Sequence, residues 1–144
     1  MNLLVDGGIV VSDKVIFDGA VAVEGNRIVA VGASSELRKR FQGFERVNAR
    51  GCAVIPGLVN THTHAAMTIF RGYAEDLPLF DWLNKRIWPA ESTLTPKDIE
   101  IGAQLAAYES LLFGVTTLNS MYFYSEDGSE LHAFEKAGIR ATVG

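Results

Sequence analysis

Val54-Ile-Pro-Gly-Leu-Val-Asn-Thr-His-Thr-His-Ala-Ala-Met67 is the stretch whose reading organises the rest of the chain. An apolar run meets the Pro56-Gly57 break, a second short apolar run follows, and two histidines stand one residue apart. The pattern predicts a buried strand from Gly57 to Thr61 that ends at a reaction centre. Side chains alternate along a strand, so His62 and His64 share a face wherever the extended backbone continues through them. Two imidazoles on one face can hold one divalent metal. Parallel strands of an α/β barrel carry their ligands at their C-terminal ends, and here the strand precedes the histidines, which is the required polarity. An isolated His-x-His also arises where nothing binds, and spacing alone leaves that reading open. The small residues Ala65 and Ala66 leave room for a ligand beside the rings.

Beyond the histidines lies a long loop, Ala65 to Thr95, carrying Met67, Phe70, Tyr73, Phe80, Trp82 and Trp88, with a short helix expected over Asp81 to Ile87. Long ordered loops in compact domains are usually functional. Most of these aromatics read as packing. Thr95-Pro96-Lys97-Asp98 then opens a long helix: Thr95 caps it, Pro96 suits its first position, and Asp98 stands three residues after the cap. Ile101, Leu105, Tyr108 and Leu112 follow helical spacing and are expected to form its buried stripe. Gly114 stops the helix. Val115 to Met121 reads as a second strand, Asp127 to Ala137 as a second helix stopped by Gly138, and Ile139 to Val143 as a third strand. This βαβαβ order predicts a parallel sheet with right-handed crossovers. His132 falls inside the second helix, away from any strand end, and reads as a surface residue rather than a ligand.

Working back from Val54, residues 1–53 read as short strands broken by glycine turns. Leu3 to Val5 and Ile9 to Val11 flank Asp6-Gly7-Gly8, and Asp18-Gly19 separates Val15 to Phe17 from Ala20 to Val23, both Asp-Gly pairs being hairpin signals. Glu24 to Arg27 is a further turn and Ile28 to Val31 alternates after it. Ser34 to Phe41 is a short helical stretch with a serine cap, its charges forming a solvated face, and Glu45 to Ala49 is another strand. The division expected is residues 1–53, part of a small β-sandwich, and residues 54–144, the start of a barrel.

The chain of 144 residues is 48% hydrophobic and 21% charged, a globular profile. Its formal net charge of −4 argues against a nucleic-acid partner. The single cysteine, Cys52, excludes an intrachain disulfide and reads as a small buried residue. No apolar run approaches the ~18 residues of a membrane span, and the start lacks a signal-peptide pattern, so a cytoplasmic location is expected.

Residues Val54 to Phe70 resemble the metal-binding start of the amidohydrolase superfamily. The longer run through Arg71-Gly72, Asp76-Leu77-Pro78-Leu79, Trp82-Leu83 and Ile87-Trp88-Pro89-Ala90-Glu91 is similar to a narrower group, the methylthioadenosine/S-adenosylhomocysteine deaminases and their triazine and chlorohydrolase relatives. The resemblance implies an α/β fold: the first strands and helices of a metal-dependent hydrolase TIM (β/α)₈ barrel, left incomplete here because such a barrel needs ~250 residues. It implies a divalent metal on His62 and His64, Zn²⁺ foremost, with Fe²⁺ or Ni²⁺ equally compatible with imidazole. It implies hydrolytic deamination of an aminopurine nucleoside, with Glu91 contacting the sugar and Trp88 beside the substrate. It supplies no catalytic residue in this chain beyond the metal ligands, the third histidine ligand and the aspartate ligand of that group following later strands. Ser120 departs from the resemblance, which usually has aspartate at that position.

The same resemblance keeps two alternatives in view: a related aminohydrolase or chlorohydrolase acting on another heteroaromatic ring, and a non-catalytic association module. By itself, residues 1–144 are expected to bind metal weakly, to lack deaminase activity and to self-associate through uncovered strand edges unless the missing part of the barrel is present. Homo-oligomerisation stays open.

Overall fold

The computed structural model describes residues 1–125 and 127–144. The chain divides into two compact units, Met1–Pro56 and Gly57–Gly144.

The first unit is a five-stranded sheet with one helix. Strands β1 (Asn2–Val11), β2 (Val15–Glu24) and β3 (Arg27–Ala33) form an antiparallel meander, and β4 (Glu45–Asn48) and β5 (Ala53–Val54) add in parallel to β1. The Asp-Gly pairs do not make hairpins here. Both lie inside continuous strands, where β1 and β2 shift register and Gly8 faces Gly19. Gly7 and Asp18 take the positive φ values of 84° and 45° that such irregularities demand. The connecting turn sits at Ser12–Lys14 instead, closed by a Ser12 N–H to Lys14 C=O bond of 3.0 Å. Gly8 has a second reason to lack a side chain, because a Cβ would press on Val54 and Ala49.

Helix α1 (Ser34–Arg40) lays Leu37 onto Leu4, Ala20 and Ala22 to make this unit's core. Ser34 is not its cap. Ala33 holds the cap position, while the buried Ser34 hydroxyl accepts from Gly7 N–H at 3.0 Å and donates to Gly19 C=O at 2.9 Å. The two strand irregularities leave those backbone groups free, and the serine satisfies both. Cys52, expected inside, is exposed in the turn before β5.

In the second unit, β6 (Leu58–Thr63), β7 (Val115–Ser120) and β8 (Arg140–Val143) form a parallel sheet in sequence order. Between β6 and β7 come a 3₁₀ turn over Ala65–Phe70, the helical pieces α2 (Leu79–Trp82) and α3 (Trp88–Glu91), and the long helix α4 (Pro96–Leu112). Helix α5 (Ser129–Ala137) joins β7 to β8. The strand expected to be buried is not: Leu58 and Val59 are 50% and 59% exposed. At its start Gly57 lies against Thr116 so closely that a Cβ would overlap the threonine side chain.

The Thr95 capping box forms as expected, Thr95 Oγ1 accepting from Asp98 N–H and Asp98 Oδ2 accepting from Thr95 N–H. The expected stripe does not. Ile101, Leu105, Tyr108 and Leu112 are exposed, and α4 buries Ile99, Gly102, Ala103 and Ala107. Small residues let the helix meet the 3₁₀ turn at backbone distance: a side chain on Gly102 would strike Ala66 C=O, and Thr68 Oγ1 donates to Gly102 C=O at 2.6 Å. The core here joins Ala65, Ala103, Ala107, Leu118, Ala133, Phe134 and Ile139.

The short helix expected over Asp81 to Ile87 runs longer, through residues 79–91. Leu83–Ile87 between α2 and α3 winds as a π-helix, with Trp88 N–H reaching back to Leu83 C=O. Pro89 cannot donate to the carbonyl four residues before it, and a wider turn accommodates that gap. Among the described residues no helix is long and apolar enough to cross a membrane.

Candidate metal centre and adjoining pocket

His62 and His64 leave the C-terminal end of β6 on one side, their ring centroids 5.0 Å apart and their planes at 81°. His64 Nδ1 lies 2.7 Å from the Met121 carbonyl oxygen. A carbonyl only accepts, so this contact places the hydrogen on Nδ1 and leaves the Nε2 lone pair for a ligand. The start of β7's exit loop and the end of β6 are stitched together around the rings. Asn119 Nδ2 donates to Thr61 C=O at 2.9 Å, and Met121 N–H donates to Thr63 C=O at 3.1 Å.

Behind His64 lies a buried polar cluster. Ala65 N–H donates to Ser120 Oγ at 3.2 Å, and Ala66 N–H donates to Glu130 Oε1 at 3.2 Å. Ser120 Oγ in turn lies 3.0 and 3.2 Å from the two Glu130 carboxylate oxygens. Burial pushes the Glu130 carboxyl above its ordinary range, against the pull of the Ser120 hydroxyl and Ala66 N–H. Ser120 therefore brings no charge of its own, but a carboxyl group from α5 stands against it.

Beside His64 opens a largely apolar cavity of about 270 Å³ whose walls include Met67, Trp82, Ile87, Trp88 and Tyr122. Glu91, at the end of α3, lines it and is only 5% exposed. Burial raises the Glu91 carboxyl above its usual range. Tyr122 is equally buried at 5%, and its hydroxyl oxygen has no complete hydrogen bond among the described residues. Burial and the neighbouring Glu91 charge push the Tyr122 phenol up.

The residues singled out from the sequence thus fall into one neighbourhood with one exclusion. His64, Trp88 and Glu91 line the same cavity, and His62 stands next to His64. His132 is exposed on α5, in an open groove with Lys97 and Glu135. Among the described residues no group of three or more His, Cys, Asp or Glu could hold a metal ion. The donor set is two imidazoles, chemistry that suits a borderline cation such as Zn²⁺ and is one short of the three protein ligands typical of a catalytic zinc site. Tyr122 and Glu130 are neighbours that the sequence does not single out, while Ser120 stands out only as a departure from the resemblance. Tyr122 is within reach of such reasoning, because it follows Ser120, the last residue of β7, at the end where barrel strands carry function. Glu130 gave no such signal, since it lies in helix α5.

Residues 53–144 match the amidohydrolase family, and residues 19–41 match a bacterial imidazolonepropionase-like composite domain. A 5-methylthioadenosine/S-adenosylhomocysteine deaminase from Desulforudis audaxviator is 47% identical over 127 residues, 88% of this chain and 29% of that protein. A 5'-deoxyadenosine deaminase from Methanosarcina mazei is 43% identical over 125 residues, 87% of this chain and 28% of that protein. The solved structure of an adenosine deaminase from Xanthomonas campestris with bound zinc superposes with a TM-score of 0.82 at 38% identity, covering 97% of this chain and 33% of that one. The chain spans about a third of the length of the relatives it matches.

Proposed function

This chain belongs to the amidohydrolase family, and from that premise we propose that the protein carrying it deaminates an aminopurine nucleoside of the S-adenosylhomocysteine or 5-methylthioadenosine type. The observation that carries the reading is the placement of His62 and His64 at a strand end, directly beside a cavity holding a buried carboxyl group, Glu91. His62 and His64 hold a divalent metal, foremost zinc, with the further ligands and the remaining pocket walls drawn from a (β/α)₈ barrel that continues the β6–β8 sheet. When bound, that metal supplies a water activated for attack near neutral pH. In the net reaction one water is consumed, the ring C–NH₂ becomes C=O, and ammonia leaves.

The chain's own residues bind and orient. His64 presents Nε2 because Met121 C=O holds Nδ1. Glu91 accepts hydrogen bonds from vicinal sugar hydroxyls, an acceptor role that suits a carboxylate. Trp88 and Trp82 offer flat apolar surface to the nucleoside and exclude water. The Tyr122 hydroxyl, buried beside Glu91 and without a hydrogen-bond partner among the described residues, is a second polar group that a hydroxylated ligand would satisfy.

The test is Glu91→Gln in the full encoded protein, with metal analysis and kcat/KM for a nucleoside and its free aminopurine base. A sugar contact away from the attacked carbon contributes binding energy that the free base never uses. Metal content is expected to stay at the wild-type level, with a fall in kcat/KM confined to the nucleoside. Loss of metal, or equal falls on both substrates, would move Glu91 out of sugar recognition.

A further inference from the structure

Glu130 is fully buried, yet no part of the proposed chemistry uses it. Burying a carboxyl group is costly unless hydrogen bonds compensate, and the compensation at Glu130 is directed at one place. Ala66 N–H reaches it directly, and Ala65 N–H reaches it through the Ser120 hydroxyl. These two amides open the 3₁₀ turn that starts immediately after His64, where backbone donors have no acceptor within their own turn. The ring of His64 is meanwhile held by the carbonyl of Met121, the residue after Ser120. The two residues Ser120 and Met121 therefore grip His64 from both sides, one through the backbone that follows it and one through its imidazole. Glu130 backs the first grip from α5, whose first turn is itself fixed by Ser125 Oγ accepting from Glu130 N–H at 3.1 Å.

We propose that Glu130 is a positioning residue for the metal site, acting through Ser120 and the Ala65–Ala66 amides to fix the backbone from which His64 projects. This rests on the reading of His64 as a metal ligand. Groups that orient a ligand from behind typically govern metal affinity by ~10–100-fold. The carboxyl does not have to come from α5: an acidic side chain on position 120 itself could reach the same two amides. The geometry thus treats residues 120 and 130 as one acceptor divided between two elements, and the carboxyl should be transferable from one to the other.

The experiment uses the full encoded protein stripped of metal and titrated with zinc against a chromophoric chelator, with the melting temperature of the metal-free form recorded alongside. Glu130→Ala is expected to weaken zinc binding by ~10–100-fold. Ser120→Asp alone, which crowds two carboxyl groups into one buried site, is expected to lower the melting temperature. The double variant S120D/E130A is expected to recover most of the lost affinity. A folded Glu130→Ala protein that binds zinc as tightly as wild type would overturn the proposal, as would a folded double variant with no recovery. Should Glu130→Ala fail to fold, Glu130→Met, which keeps most of the volume but offers no oxygen acceptor to Ala66 N–H or Ser120, decides: unchanged affinity overturns the proposal, and weakened binding at an unchanged melting temperature supports it. His64→Ala runs in parallel. Unchanged affinity there would defeat the metal reading itself, whereas loss there with no effect at Glu130 would defeat only the positioning role.

Discussion

In the unit Met1–Pro56 the fully buried Ser34 hydroxyl both accepts from Gly7 N–H and donates to Gly19 C=O, and Asp6 takes Arg38 Nε on both carboxylate oxygens at 3.0 and 2.8 Å. In the unit Gly57–Gly144 Tyr122 is almost as buried, but its hydroxyl oxygen has no hydrogen-bond partner among the described residues, and the Glu91 carboxyl beside it faces a cavity. Burial is similar in the two places and the outcome differs. Where every polar group is matched inside the chain, the matching holds strands and helix together. Where a polar group is buried and unmatched against a cavity, its partner is expected from outside the chain. Glu130 and Ser120 belong with the first kind although they sit next to the second.

The strongest way to break this contrast is at the histidines. His64→Ala in the full encoded protein should reduce bound metal to background and abolish turnover on nucleoside and free base alike, read by elemental analysis and ammonia release. Retained metal would remove the second unit's claim to a ligand site. Next in size is Ser34→Ala, which strips a half-buried amide and a buried carbonyl of their partner. It should cost about 1–3 kcal/mol in urea denaturation with metal content untouched. A loss of metal there would show that the first unit is not mere framework.

Tyr122→Phe sharpens the contrast from the other side. Removing a hydroxyl that has no partner should leave stability level or raise it by up to about 1 kcal/mol, while raising KM for a hydroxylated nucleoside. A destabilised Phe variant would mean that the hydroxyl already has a structural role.

The smallest effect concerns Glu100, where Lys136 above all, and Lys97, hold the carboxyl down at about 2. A carboxyl lowered in the folded state stabilises above its ordinary unfolded value of ~4.3, and that contribution is lost as the pH falls toward 2. Glu100→Gln should therefore melt slightly below wild type at pH 7, with the gap closing between about pH 5 and 2, since exposed pairs are weak and screened. A gap that persists at pH 2 would rule out the ion pairs as its cause.

What the sequence showed and what it hid have separate physical causes. The Thr95 box, the Gly114 and Gly138 stops and the polarity of the β6 strand are local, and local chemistry is legible in order along the chain. Helix α4 was misread because it is apolar on two faces. Spacing favoured Ile101, Leu105, Tyr108 and Leu112, but packing favoured the face where Gly102 and Ala103 admit another backbone. The Asp6-Gly7 and Asp18-Gly19 pairs met the chemistry of a turn, yet positive φ serves a strand irregularity equally well, and only the pairing of β1 with β2 distinguishes the two. His62, His64, Trp88 and Glu91 could be picked out as residues. That Glu91 is buried with Tyr122, and that Glu130 stands behind His64, depends on contacts across 31 and more positions of chain, which no periodicity carries.

The bond from His64 to Met121 also sets a schedule. The two residues are 57 positions apart. At a synthesis rate of ~5–20 residues per second, His64 emerges roughly 3–11 s before the carbonyl that fixes its ring exists. Through that interval the Met121 carbonyl does not yet distinguish the two imidazole nitrogens. Only once β7 has been made and has docked beside β6 does His64 acquire a single available nitrogen. On the proposed reading of His64 as a metal ligand, the site is therefore completed late, and metal arriving after that point meets a single available nitrogen.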